Sequence, residues 1–460
     1  MQLSRRSLLS GAAALLMPPR LVRAGSAADG FQVLRAGALD LGLLENGKGR
    51  TGAWIFGPGP APAVVRATQG SELKLRIVNE LQGDIWLHFF GVRGPSELMT
   101  INVPPGADQA VDCVFTPPDA GTFWIGPVAD VSRLRDMGLY AMLVVEEAKT
   151  DAGLAGLPLI LDDWKLDDGG AIDGNFGDVE AMVGEGRLGN WFTVNNRFRP
   201  RMPLQAGQFT RLRFLNTANV RSMGLLFKGH DPLLIALDGQ PVKPRLLDQK
   251  ALLLAPGQRA DLLASPEDGD ITLALDLFED VVEIAYLTSK GRGSVPAIAD
   301  NFALPPNPAH LPGNTGSLRS VPILIEGGIK GGLKSAKFRG ETMELRALLE
   351  NGKGWAFNGI AGPTTEPLFT AVKGETVMLQ VANRTAFAQP LHIHGHVWQE
   401  ISGNAPEPAA LSDTAVIAAG QTINLGFVAD NPGTWAIQSL IAERADGGLM
   451  APFNVSETAL

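Results

Sequence analysis

Chemistry-bearing residues are scarce in this chain: 460 residues include one cysteine, two tyrosines and six histidines. The lone Cys113 rules out an intrachain disulfide framework, so cohesion has to come from packed cores. Charged residues make up only 19%, and the net charge of -9 supplies no basic field, which excludes nucleic acid as an expected partner. No apolar run is long enough to span a bilayer. Phosphate loops, Ser-His-Asp arrangements and paired catalytic carboxylates are also missing above chance level.

What is abundant is turn chemistry. The chain has 54 glycines and 32 prolines, which separate short alternating runs within a sequence that is 45% hydrophobic. That pattern fits β-sandwiches better than helical bundles, and the length suggests three domains. At the N-terminus, Ser4-Arg5-Arg6-Ser7-Leu8-Leu9 leads into a brief apolar run that ends before Val22-Arg23-Ala24. Such an arrangement reads as a twin-arginine signal peptide over residues 1–24, with export of a folded product to a bacterial periplasm.

An internal repeat organises the rest. Gly70 to Asn79, Gly207 to Asn216 and Gly374 to Asn383 each place an asparagine nine residues after a glycine, with an alternating strand between them. Each is followed by a second turn and strand: Pro105-Gly106 before Val111 to Phe115, Pro256-Gly257 before Ala260 to Leu263, and Ala419-Gly420 before Ile423 to Phe427. Three copies of one sandwich are expected, at 25–148, 149–310 and 311–460, with their alternating strands half-buried.

The histidines fall into this frame. Nine residues beyond Asn79 is His88, and nine beyond Asn383 is His392, whereas the same count from Asn216 reaches Leu225. Equivalent positions in the first and third repeats suit a metal shared between those domains, with the second as spacer. His392, His394 and His396 lie two apart, so a continuing strand would turn all three toward one wall. His230 and His310 sit in framework and linker stretches and are expected to be structural or solvated. Cys113, inside a strand, reads as a small buried hydrophobe.

These features, with Pro432-Gly433-Thr434-Trp435, Asp413-Thr414, Asp238-Gly239-Gln240-Pro241 and Ala255-Pro256-Gly257-Gln258-Arg259-Ala260-Asp261, resemble the laccase-like multicopper oxidases through nearly the whole mature sequence. The resemblance implies an all-β protein of three cupredoxin-like Greek-key sandwiches. It also implies a blue copper and a three-copper cluster, yet most of their ligands are absent. At the blue site the ligand positions read Gln389, Ser439, Arg444 and Leu449, and at the paired coppers Phe90, Gly126, Val128, Gln438 and Leu440. His394 alone remains of the paired-copper ligands. His88 and His392, which resemble the single-copper ligands, survive together.

Two functions stay open from the sequence. One is a non-catalytic envelope scaffold without cofactor, resembling the FtsP (SufI) type of cell-division protein and partnered by periplasmic envelope proteins. The other is a copper-binding protein or residual copper-dependent oxidoreductase that holds one ion with His88 and His392, and His394 near. The export signal is testable by itself. Replacing Arg5-Arg6 by Lys-Lys is expected to leave the precursor in the cytoplasm, because the pair is read by a receptor; normal cleavage of the double variant in a fractionation blot would refute it.

Overall fold

The computed structural model describes residues 30–458 apart from 46–49, 149–154, 267–268, 278–279, 292, 295–301, 313–318 and 402–409. The expected signal peptide, with Arg5-Arg6, lies outside the described residues, as does residue 149, where the second domain is expected to begin. Of the described residues 51% are in strands and 7% in helices, so sheets carry the architecture and the all-β expectation holds. Among the described residues no helix is long and apolar enough to cross a membrane.

Each repeat is a two-sheet sandwich with one shared plan. In the first, the central strand Leu73–Asn79 pairs parallel with Gln32–Leu41 and antiparallel with Gly106–Phe115. In the second, Thr210–Asn216 pairs parallel with Ala155–Trp164 and antiparallel with Arg259–Ala264. In the third, Thr376–Asn383 lies between Arg319–Gly327 (parallel) and Thr422–Val428 (antiparallel) in the same way. The chain then crosses to the opposite sheet through Ile85–Phe90, Met223–Lys228 and Gln389–Ile393, the strands that carry His88, Leu225 and His392. Cys113 is buried in Gly106–Phe115, facing only core.

The recurring asparagine has a physical reason. Asn79 Nδ2 donates to the carbonyls of Gly83 and Val103, while its Oδ1 accepts from Leu81 N. Asn216 does the same toward Arg221, Leu254 and Ala218, and Asn383 toward Phe387, Ile417 and Thr385. In every copy one amide ties the end of the central strand to the start of the cross-over and to the facing sheet. Backbone groups at such a buried turn need partners, and asparagine supplies both a donor and an acceptor.

One expectation needs correction. The strand Thr376–Asn383 alternates between inside and outside as a half-buried strand should, but Thr210–Asn216 is buried throughout. Its polar face is turned toward the first domain rather than to water. Arg211 and Arg213 grip Asp261 of their own sheet and reach Glu147 and Glu146 across the junction. Alternation records which face is polar; it does not record whether the polar face meets solvent or another domain.

The apolar cores confirm how the domains associate. Buried residues of the first and third sandwiches form one contiguous cluster, whereas the second keeps its own. The linker Leu304 to Pro312 is likewise not free. Asn307 Nδ2 donates to Ala120 O of the first domain and to Gly239 O of the second. Replacing Asn79, Asn216 or Asn383 by alanine is expected to lower stability by about 2–4 kcal/mol each, since several buried carbonyls lose their donor at once. Denaturant titration reads the effect, and losses below about 1 kcal/mol at all three positions would deny the asparagine this function.

Candidate metal centre

His88, His392 and His394 meet where the first and third domains join, and each offers a nitrogen so that the three lie within 4.8 Å of one another. All three are buried. Strand pairing explains the placement: His88 pairs with Thr100 on one side and Gly126 on the other, and His392 pairs with Thr414 and Gln438 in the same pattern. In the second domain the equivalent Leu225, paired with Leu252, packs into the core.

The two repeat-related histidines are held alike. His88 Nδ1 meets Thr100 Oγ1 at 2.7 Å, and His392 Nδ1 meets Thr414 Oγ1 at 3.3 Å and Asp413 Oδ1 at 3.2 Å. Anchoring Nδ1 leaves Nε2 as the free position, and Nε2 of both residues is buried with no hydrogen-bond partner among the described residues. Burial, reinforced by the neighbouring imidazoles, lowers the pKa of His88 and of His394 well below the ordinary histidine value. Both rings are therefore neutral at physiological pH, the state a metal ligand requires.

His396 does not join them. The strand ends at Ile393, and Gly395 turns the chain with φ +65° where any Cβ would strike the Trp435 ring. His396 is thereby sent into the third domain's core, among Phe427, Trp435 and Phe453, with Nδ1 on the His394 carbonyl at 3.0 Å. The two-residue period fails here because the strand it presumes has stopped. His230 accepts weakly from Ser265 N at 3.4 Å, and the exposed His310 pairs with Asp430 at 2.8 Å; neither takes part in the cluster.

Arg259 of the second domain anchors the junction. Its guanidinium donates to Asp413 Oδ1 at 3.0 Å and also to Asp413 Oδ2, its Nε donates to Thr122 O at 3.2 Å, and Asp238 lies 3.1 Å away. One side chain thus ties all three domains and orients the carboxylate behind His392. Gly91, two residues past Phe89, is constrained by the same pair: a Cβ there would lie 2.5 Å from Asp413 Oδ2 and 2.6 Å from Arg259 Nη2. Burial pushes the Asp413 carboxyl up, but Arg259 and His392 outweigh it and hold it far below the usual range.

Around this cluster the remaining space is filled. Phe90 stacks on Trp124 with centroids 4.0 Å apart and planes 9° from parallel. The indole lies over Gly126, where a Cβ would come within 2.1 Å of the ring. Val128 and Leu440 close the same apolar patch. The region of Gln389 is filled differently, by the guanidinium of Arg444. It donates to Gln389 Oε1 at 3.1 Å and to Ala388 O at 2.7 Å, and it lies 4.9 Å from the ring centroids of both Trp355 and Phe387. Burial lowers its pKa to about 10, which leaves it a cation at neutral pH. Nearby Ser439 accepts from Ile441 N at 3.2 Å, and Leu449 is fully buried.

Comparison with known proteins agrees with this architecture. Three multicopper oxidase models match residues 45–150, 162–271 and 339–459, one in each sandwich. The chain belongs to the multicopper oxidase family. Multicopper oxidase MmcO of Mycobacterium tuberculosis is 28% identical over 83% of this chain and 78% of its own length. Cell division protein FtsP of Xenorhabdus nematophila is 24% identical over 79% of this chain and 76% of its own. A multicopper oxidase structure from Pseudomonas Thermotolerans superposes with a TM-score of 0.78, at 29% identity and covering 92% of this chain and 98% of that one.

Of the coppers that this family normally binds, the residues here fit one ion at most. The blue-copper positions hold an amide, a hydroxyl, a guanidinium and a leucine, none of which supplies the thiolate and imidazoles that such a site needs. At the paired-copper positions Phe90, Val128 and Leu440 are apolar, Gly126 has no side chain, and Gln438 is hydrogen-bonded to His394. Among the described residues only His88, His392 and His394 form a group that could hold an ion, and two of their nitrogens are unengaged.

Arg259→Met is expected to destabilise the protein by about 3–5 kcal/mol near pH 7, because Asp413 would be left as an uncompensated buried charge. The sign with pH follows. In the parent the paired carboxylate's stabilisation persists down to about pH 4 and is lost only below it. In the variant burial favours the protonated carboxyl, so the gap between the two should narrow as pH falls from 7 toward 4. Thermal melts across that range test it; a gap that is constant with pH would mean Arg259 acts by packing alone.

Proposed function

We propose that this chain is an exported envelope protein that uses the multicopper oxidase fold as a non-catalytic scaffold. The observation that carries the reading is the Arg444 guanidinium seated against Gln389 and over the rings of Trp355 and Phe387. A residue that is always protonated repels a metal cation and has no redox chemistry, so electron entry of the oxidase type is closed at that position. The Phe90–Trp124 stack argues the same way for the paired coppers, since an apolar filling offers no ligand and leaves little space for dioxygen.

A division-related scaffold in the periplasm is the specific form favoured here. Likeness to cell division proteins FtsP supports it, together with the Arg5-Arg6 address. Fold analogy alone cannot name the partner. Cross-linking in intact cells followed by capture of the tagged protein is the direct test, with recovery of cell-wall or septal proteins as the supporting result and their absence, in the face of a normal septation phenotype on deletion, as the opposing one.

A second reading, a protein that holds a single copper ion, is favoured by one observation: the two Nε2 atoms of His88 and His392, both buried and both unpartnered. Copper bound there would supply a Lewis-acid or one-electron centre, and His88 and His392 would hold it. The expected outcome for either reading is a colourless protein. Without sulfur at Ser439 there is no copper-thiolate charge transfer, so copper-supplemented protein should show no intense blue band and no oxygen-dependent phenol oxidation. Appearance of either would overturn the scaffold proposal.

A further inference from the structure

We infer that residues 165–190 of the second domain form a strap across the other two domains, and that proton uptake at the buried Asp136–Arg187 staple sets how firmly the strap is closed on the third. The inference depends on neither reading above and needs no metal ion.

The strap leaves its sheet after Ala155–Trp164 and re-enters it at Trp191–Val194. Between these strands the short helix Val179–Val183 lies against the third domain. Trp355 Nε1 donates to Met182 O at 2.7 Å, and Ile329 N donates to Val183 O at 2.6 Å. Met182 joins the core that the first and third sandwiches share, and Trp355 is fully buried there. A Cβ on Gly354 would lie 2.8 Å from Val183 Cγ1, so the third domain's surface is cut back where the strap rests.

The return leg has a hinge and a staple. Its sequence, Gly184-Glu185-Gly186-Arg187-Leu188-Gly189, is half glycine, and Gly186 takes φ +104°, a conformation that glycine adopts without cost. Arg187 is the staple. Its Nε donates to Asp136 Oδ2 at 2.6 Å, at the end of the first-domain helix Val131–Asp136. Its Nη1 and Nη2 donate to the carbonyls of Asn175 and Asp173 in the outward leg, and its guanidinium covers the Phe176 ring at 4.2 Å. One buried side chain therefore ties both legs of the strap together and fastens them to the first domain.

Charge around the staple is uneven. Arg187 touches Asp136, while the carboxyls of Asp162, Asp163 and Glu443 act on it from the second and third domains. Asp163 accepts from Arg221 Nε at 2.7 Å and Gly189 N at 3.0 Å, Asp162 from Tyr140 Oη at 2.6 Å, and Glu443 from Ser132 Oγ at 2.6 Å. Burial pushes the Asp136 carboxyl up to about 7, and Asp163 and Glu443 add to a rise that Arg187 opposes. Arg187 is not stranded when Asp136 takes a proton, because the two carbonyls and the Phe176 ring remain.

Once the strap opens, the carboxyl is hydrated and returns toward about 4. Proton uptake therefore favours the closed strap: the gain is complete below about pH 4 and is lost as pH rises through about 7. An ion pair acting only as an ion pair has the opposite sign, since it needs the ionised carboxylate.

The test is amide hydrogen exchange of the full mature protein, read by mass spectrometry and corrected for the intrinsic pH dependence of exchange. Peptides covering 179–187 and 328–333 are expected to open more at about pH 8 than at about pH 5, by a factor on the order of 10 to 100. The central strands Leu73–Asn79 and Thr376–Asn383 should stay protected throughout. Asp136→Asn keeps an acceptor for Arg187 and cannot ionise, so at the high end it should match the parent at the low end and change by less than about threefold across the range. Strap exchange in the parent that is constant, or that falls as pH rises, overturns the inference. So does an Asp136→Asn strap that opens at every pH, which is how a plain ion pair would behave, or loss of protection in the central strands together with the strap. Should the variant fail to fold, as judged by its thermal melt, the parent's pH series decides alone.

Discussion

The contact on which the rest of the structure depends is the pair made by Arg259 and Asp413. Both are fully buried, they belong to different domains, and the guanidinium also reaches a backbone carbonyl of the remaining one. Taking such charges out of water costs several kcal/mol per ion, and their mutual attraction recovers it only when geometry is good. The consequence is registry: any arrangement that shifted one domain would strand a charge. Gly91 has no side chain because this pair lies where one would be, and the His392 ring is held in place because Asp413 stands behind it.

Other interdomain contacts follow the same logic. Asp446 of the third domain accepts from Val131 N and Ser132 N, supplying the cap for the first-domain helix Val131–Asp136, whose own Asp130 does not cap it. Arg93 joins Asp119 within its domain and Asp430 across the interface. Arg211 and Arg213 fasten the second domain to Glu147 and Glu146 of the first. A metal cluster bridging the first and third domains is one way to fix their relation. Here protein groups already fix that relation.

Much of this was legible in the residues. The asparagine repeat marked three equivalent strands, and counting from it found His88 and His392, because a strand position is fixed by its distance from a turn that every copy must close. The all-β class followed from turn density and alternation. The limits were equally physical. His396 left the cluster because a glycine ended the strand, a local event that a two-residue period does not encode. The half-buried expectation failed for Thr210–Asn216 because polarity does not reveal whether the neighbour of Arg211 and Arg213 is water or a carboxylate from another domain. Arg259 stood in a recognised framework stretch, yet nothing local identified Asp413, 154 residues later, as its partner. The available hint was an arginine followed by an aspartate in a strand otherwise fit for a core.

The manner in which the metal positions were filled separates them into two kinds, and the difference bears on function. Where Phe90, Trp124, Val128 and Leu440 meet, the space is apolar core, which adds cohesion through burial. Where Arg444 sits, a fixed cation satisfies an amide and a carbonyl while lying over two aromatic rings. Neither filling is compatible with a passing ion. The His88 and His392 positions differ: Nδ1 of each is anchored on Thr100 or Thr414, and Nε2 of each is buried with no hydrogen-bond partner among the described residues. A buried polar atom without a partner carries a desolvation penalty, and an aliphatic pair at these positions would avoid it, as Leu225 does in the second domain. Two such atoms side by side therefore distinguish this junction from the sites that were closed, and it is the one place in the described structure where the fold still offers a donor set to a ligand.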